Sequence, residues 1–373
     1  MTSIEFETAT ITDVLKKANQ VAPAKAGSAF DKAAGIVLDV TPNDPVKCIV
    51  RATNLDVFYI EAVDCLSSSG ESVRWRLPAP LLTHVIGTLP ATSGKTVRVE
   101  DDPATGSRVT VSSGRMKSAM SQMDASYYPL FDPATHVTFT DVQSIGGRIA
   151  QAAWAVGGPA DVPLNGLHFT GTHILATDRY RVVRVPCLAA LPYPVTVPAS
   201  VLGAILKQTT DVQIGLDSTM MYFKPDDYTQ ISSVLYEGSY PPVEKIVKTE
   251  FESQVTIRKE DLISRINRSL AFAGADRAPI LRMFLGRGEI ATILGNEELG
   301  LIRDIIEVPG QLDHRRIEIG FTPKYMTDAL TNAPNDTITL KFDATEYSRT
   351  VYIDGGSGYE AWIMTRSLAA NNA

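Results

Sequence analysis

Cysteine is scarce in this chain. It has only Cys48, Cys65 and Cys187, with no CxxC pair, which excludes a disulfide framework and a thiolate zinc site and predicts reduced thiols. The five histidines show no ligand spacing, so neither metal nor cofactor is expected. No Gly-rich loop ends in Lys-Ser/Thr, and HExxH is absent. The stretch "DGGSGYE" (354–360) lacks the Gly-x-Ser-x-Gly register and falls between strands. No catalytic residue can be named on these grounds. No apolar run approaches the ~18 residues that span a bilayer, and "MTSIEFETAT" has neither the basic nor the apolar region of a signal peptide. A membrane partner is therefore not expected, and the cytoplasm is the expected compartment. Net charge is −7, which by itself speaks against nucleic acid as a partner.

What the chain does have is itself, three times over. The 373 residues suit two or three domains. In "CIVRATNLDVFYIEAV" and "HILATDRYRVVRV", apolar residues run into Ala-Thr-Asn/Asp and then alternate. Asn54 precedes Asp178 by 124 residues, and "IATILGNEELGLIRDIIEV" brings Asn296 a further 118 on. A Pro-containing turn with a short apolar helix follows each, in "RLPAPLLTHVIGTLP", "TVPASVLGAILKQT" and "IGFTPKYMTDALTNAP". An amphipathic helix opens each copy, in "ITDVLKKANQVA", "TDVQSIGGRIAQAAWAV" and "RKEDLISRINRSLAFA". Leu262, Ile263, Ile266 and Leu270 form one face of the third. Thr12 or Asp13, Thr140 or Asp141, and Glu260 or Asp261 are the expected caps or first-turn acids. Alternating strands close each copy, with "DDPATG", "KPDD" and "DGGSG" as hairpin turns. The class is α+β: one unit of about 120 residues, roughly β-α-ββ-α-βββ, in tandem at 1–134, 135–250 and 251–373.

Charge is divided between the elements. The six helical segments hold eight bases against four acids, a surplus of four on a chain of net charge −7. Helices lining one surface would make it basic and leave an acidic sheet surface, so a phosphate backbone could be attracted without base readout. The other reading is that these bases only solvate the helices.

On these residues the sequence resembles the bacterial DNA polymerase III beta sliding clamp family over about 1–367. The stretches that carry the resemblance are "ATDRYRVVRVP", "SYPPVEKIV", "RLPAPLLTHVIGTLP", "VSSGRMKSAMSQMDASYYPLF" and "IEIGFTPKYMTDAL…YEAWIMTR". Whether the member is cellular or phage-encoded stays open. The resemblance implies three DNA-clamp domains per chain and a ring-shaped homodimer, with helices inside and antiparallel sheets outside. Such a ring would encircle double-stranded DNA without sequence specificity. It would be a non-catalytic processivity factor tethering the replicative DNA polymerase, with the clamp loader as a second partner, each through a short linear clamp-binding motif.

The resemblance also implies three sets of residues. A groove for an apolar partner peptide would comprise Thr177, Tyr180, Arg181, Val182, Pro241, Lys245, Ile246, Ile363, Met364 and Arg366, with Leu164 and Gly166 adjoining. Val182 and Ile246 could instead be plain core. Arg115, Lys117 and Met120 would meet Phe272 and an acidic strand with Glu297, Glu298 and Asp304 across a head-to-tail interface. The alternative for that stretch is an ordinary hairpin. Lys25, Arg148, Lys207, Arg265 and Arg268 would face DNA. Two departures stand out: Arg179 occupies a place where the family has a small residue, and "SLAANNA" (367–373) runs past the family's usual end. A rival reading is a repeat-built interaction or structural module that does not encircle DNA. A hydrolase is a third, disfavoured by the missing nucleophile constellation.

Overall fold

The computed structural model describes residues 1–23, 32–41, 47–90, 95–102, 106–206, 209–276, 278–296, 298–312, 316–343 and 350–368. One element order recurs three times. The first copy is β1 (Ser3–Glu7), α1 (Thr8–Val21), β2 (Ile36–Val40), β3 (Lys47–Thr53), β4 (Val57–Asp64), the short β5 (Ser67–Ser69), β6 (Val73–Leu77), α2 (Ala79–Gly87), β7 (Thr96–Asp101), β8 (Arg108–Ser113) and β9 (Met116–Ser121). The second is β10 (Thr140–Gln143), α3 (Ile145–Ala153), β11 (Gly166–Phe169), β12 (His173–Thr177), β13 (Arg181–Pro186), β14 (Val195–Pro198), α4 (Leu202–Ile205), β15 (Asp211–Leu216), β16 (Met220–Lys224) and β17 (Thr229–Val234), followed by the single-turn α5 (Val243–Ile246). The third is β18 (Ser253–Arg258), α6 (Lys259–Leu270), β19 (Leu281–Gly286), β20 (Glu289–Asn296), β21 (Gly300–Glu307), β22 (Ile317–Phe321), α7 (Pro323–Asn332), β23 (Thr337–Phe342), β24 (Thr350–Gly356) and β25 (Tyr359–Met364).

The unit is thus β-α-ββββ-α-βββ, with two more strands between the helices than the sequence pattern implied. The missed strands are buried on both faces, as in β2 and β14, so they give apolar runs without alternation. Two of the expected helix starts also move. Thr12 lies inside α1 and is buried, while Thr140 and Asp141 belong to β10. The cause is that β1 runs straight into α1 with no loop to hold a cap. Glu260 and Asp261 do occupy the first turn of α6, and Arg268 its last, in the sense the helix dipole favours.

The strands form four antiparallel sheets that tie the chain into two compact units. One unit is Met1–Gly146 with Ser200–Leu235, and the other is Gly147–Ala199 with Tyr236–Ala373. Each is built around an eight-stranded sheet shared by two successive copies. In the first, β17 pairs with β4, Thr229 opposite Glu61; in the second, β13 pairs with β25, Arg181 opposite Ile363. The first unit adds a sheet ordered β5-β1-β7-β8-β9, and the second a sheet ordered β21-β20-β19-β22. The core of the first unit packs α1 (Ile11, Leu15, Ala18) and α2 (Leu82, Ile86) together. The second unit repeats this with α6 (Leu262, Ile266) and α7 (Met326, Leu330). No helix among the described residues is long and apolar enough to cross a membrane.

Candidate functional site

The "ATDRYR" run builds a tight turn between β12 and β13. The Asp178 carboxylate accepts the N–H groups of Tyr180 (2.9 Å) and Arg181 (3.0 Å). Thr177 Oγ1 donates to Arg181 O (2.7 Å) and accepts the N–H of Arg179 (3.1 Å). Arg179 itself has φ +78°, the left-handed region. The first copy does the same: Asn54 accepts from Asp56 and Val57, Thr53 bonds Val57 O and the Leu55 N–H, and Leu55 has φ +77°. In the third copy Asn296 accepts the Leu299 N–H at 2.6 Å. The repeated Asn/Asp is therefore the acceptor that caps a turn with its own side chain. Of the charges in the second copy's turn only Arg179 is well exposed; the Asp178 and Arg181 side chains are largely covered and paired with each other.

This turn forms one side of a groove of about 290 Å³ on the second unit. Leu164, Val182, Val243, Val247 and Trp362 supply apolar walls, with Thr177, Arg179, Arg181, Pro241, Ile246, Lys248, Thr350 and Met364 around them. Beneath it, Leu164, Leu175, Tyr240 and Val243 form a small core on which Val182 and Val247 pack. Tyr240 stacks on His168 with ring centres 4.5 Å apart, and His168 Nδ1 lies 2.9 Å from Thr196 Oγ1. Burial lowers the His168 pKa from its ordinary value, and Glu244 partly offsets this. Trp362 is fixed by its indole N–H, which donates to Lys248 O at 2.8 Å. Ile246 is 71% exposed and Met364 42%, so two large apolar side chains stand open at the rim. An adjoining cavity is lined by Tyr180, Thr322, Tyr325, Met364, Thr365, Arg366 and Ser367, so Met364 borders both.

Seven of the expected groove residues line the cavity: Leu164, Thr177, Arg181, Val182, Pro241, Ile246 and Met364. Tyr180 and Arg366 line the neighbouring one. Ile363 does not reach a ligand surface, because it is fully buried opposite Arg181 in the sheet. Gly166 stands where its backbone nears β14, and a Cβ there would come 2.8 Å from Val197 O. Lys245 is exposed on α5 outside the lining. Arg181 is not a free polar rim. Its side chain is 12% exposed, bonds Asp178 and Asp328 at 2.9 Å each, and covers the Tyr325 ring at 4.5 Å. Sequence reasoning missed Arg179, Val243, Val247, Lys248, Thr350 and Trp362 as lining. The signal was available for Val243 and Val247, which flank the named Lys245 and Ile246 inside "PPVEKIV".

The remaining expectations fall on other surfaces. Arg115 lies in the β8–β9 turn and Lys117 on β9, a sheet edge; Met120 is 1% exposed and packs inward. Glu298 is exposed just before β21, Asp304 lies on β21, and Phe272 is half-buried after α6. Asp304 is already paired with Arg268, at 2.8 Å to Nε. Arg265 donates to Asp261 O and Ile305 O, so its guanidinium is spent within the chain. Arg148 donates to Pro186 O at 2.5 Å. Lys25, Lys207 and Glu297 lie outside the described residues. Acids outside the helices offset part of the basic excess: Lys17 also bridges Glu61 of β4, and Arg265 and Arg268 face Asp304 of β21. A larger depression on the first unit is mainly ionic and polar, lined by Asp13, Lys16, Lys17, Gln20, Asp211 and Asp226, with Ile205 and Ile231 among its other residues. Among the described residues no cluster of three or more His, Cys, Asp or Glu could hold a metal ion.

Three tandem copies of one helix-and-strand unit, joined through shared antiparallel sheets and bearing an apolar groove, define the DNA-clamp fold. Residues 244–364 match the family model of the DNA polymerase III beta subunit, C-terminal domain. The beta sliding clamp of Staphylococcus aureus strain Mu50 is 23% identical over 294 residues, 75% of each chain. That of Streptococcus pneumoniae TIGR4 is 20% identical over 281 residues, 71% of this chain and 72% of the relative. Among solved structures, the DNA polymerase III beta subunit of Thermotoga maritima superposes with a TM-score of 0.83 at 16% identity, over 99% of this chain and 100% of that one. The Bacillus subtilis DNA polymerase sliding clamp gives 0.80 at 18%, over 98% and 99%. Residues 244–364 thus match that family's C-terminal domain, and the chain shares the fold of the solved DNA polymerase III beta subunits.

Proposed function

We propose that this protein is a DNA sliding clamp: a ring-shaped homodimer of six clamp domains that encircles duplex DNA and tethers a replicative polymerase. The observation that carries this reading is the apolar groove. Seven of the twelve residues that the family motif singles out line it, and it has the form in which linear motifs are held, an apolar slot with a few polar neighbours. Polymerase and clamp loader would compete for it. The protein acts without catalysis, in the cytoplasm, by topology rather than tight contact. The recurring element order supports domain boundaries at 134/135 and 250/251 as part of this reading.

Ring closure is supported by two free sheet edges. In the described residues β9 ends one sheet and β21 another, which suits head-to-tail strand addition between copies. Beyond the charged residues, β21 carries Leu301 at 66% exposure and Ile305 at 37%. Such apolar side chains on an edge strand are a liability unless covered. The in-chain pairing of Arg265, Arg268, Lys17 and Lys324 favours weak, non-specific attraction to phosphate. The test is light scattering on the full chain, with dimer expected. A strict monomer at every concentration would contradict the reading.

A further inference from the structure

We propose that the groove selects a peptide carrying a carboxylate beside its apolar residues, and that Arg179 makes the selection. This rests on reading the groove as a peptide site. Among the described residues three charged side chains line it, Arg179, Arg181 and Lys248, all cations, and no carboxylate does. They differ in how firmly they are already held. Arg181 is buried between two aspartates and stacked on Tyr325. The Lys248 ammonium donates to both oxygens of Asp343 at 2.7 Å, and that carboxylate is 17% exposed. Arg179 has one contact, 3.1 Å to Asp161, with both side chains well exposed at 64% and 43%. Exposed single-contact pairs of this kind are weak and exchange readily.

The base of Arg179 is nonetheless fixed. Its N–H is held by Thr177, and the Asp178 cap locks the turn on either side. The result is an anchored stem with an exchangeable guanidinium at the mouth of an apolar slot. A peptide carboxylate arriving there takes the place of Asp161. It does so beside walls that exclude water, where a charge-assisted hydrogen bond is stronger than at an open surface. Specificity of this sort comes from a cation left without a fully committed partner.

The experiment is fluorescence anisotropy on the full chain. The probes are labelled, acetylated and amidated short peptides with leucine and phenylalanine at two fixed positions and Asp or Asn scanned through the flanking ones. At one position the Asp peptide is expected to bind about threefold to tenfold more tightly than its Asn twin. Arg179→Gly, which suits the left-handed backbone, should erase that gap. Asp161→Asn should widen it. Equal binding of Asp and Asn at every position overturns the selection while leaving the peptide site standing. A gap that survives Arg179→Gly overturns the assignment to Arg179. If no peptide binds, the peptide-site reading fails and the selection fails with it.

Discussion

Arg179 and Arg181 are two residues apart in one turn and have opposite circumstances. Arg181 is a buried cation compensated by Asp178 and Asp328, so its removal strands two carboxylates. Arg181→Met is expected to lower stability by about 3 kcal/mol, read as a shift in the urea midpoint. Ile246 is the contrary case. It is 71% exposed, so Ile246→Asp should leave the unfolding midpoint nearly unchanged while weakening peptide binding by about tenfold or more. Unfolding of that variant would make Ile246 a core residue instead. His168 gives the second unit a pH dependence. Burial holds its folded pKa below the ordinary 6.5, so the unfolded chain takes up the proton first. The stability this contributes is whole above about pH 6.5 and falls as the pH drops through that value. The urea midpoint should decrease between about pH 7 and pH 5.5, less so in His168→Gln. At this scale the sequence was readable where the motif named a position, as with Val182 and Ile246. It was not readable where partners lie far away in the chain: nothing near Arg181 announces Asp328.

Elements were legible in proportion to how exposed one of their faces is. The helix α6 has a clear apolar stripe and charged ends, and its place could be read from spacing. Strands such as β14, buried throughout, have no alternation to read. The sharing of a sheet between copies was equally invisible, because pairing of β13 with β25 depends on residues about 180 positions apart. The edge strand β21 carries its own prediction. Leu301 is 66% exposed on that strand, so a polar side chain there costs folding little. Leu301→Asp is expected to raise the dimer dissociation constant by about tenfold or more, measured by sedimentation, with the monomer's fold intact. A dimer of unchanged affinity would remove β21 from the interface.

For the whole molecule, the repeat and the family resemblance were both legible, and the distribution of charge was only half so. The helices carry four more bases than acids in the sequence, yet several of those bases are paired within the chain. The i,i+4 pair Lys324–Asp328 is readable from spacing, but the pairs Lys17–Glu61 and Arg268–Asp304 join different elements and are not. A protein that holds DNA by enclosure rather than by charge needs no stronger attraction. The central claim is thus topological, and retention on DNA of different topology tests it most directly. The protein should be loaded onto nicked circular DNA with a clamp loader, washed at high salt, and the DNA then linearised. The account predicts retention on the circle and release once an end is cut. Equal retention on circle and linear DNA, or loss from both, would contradict it.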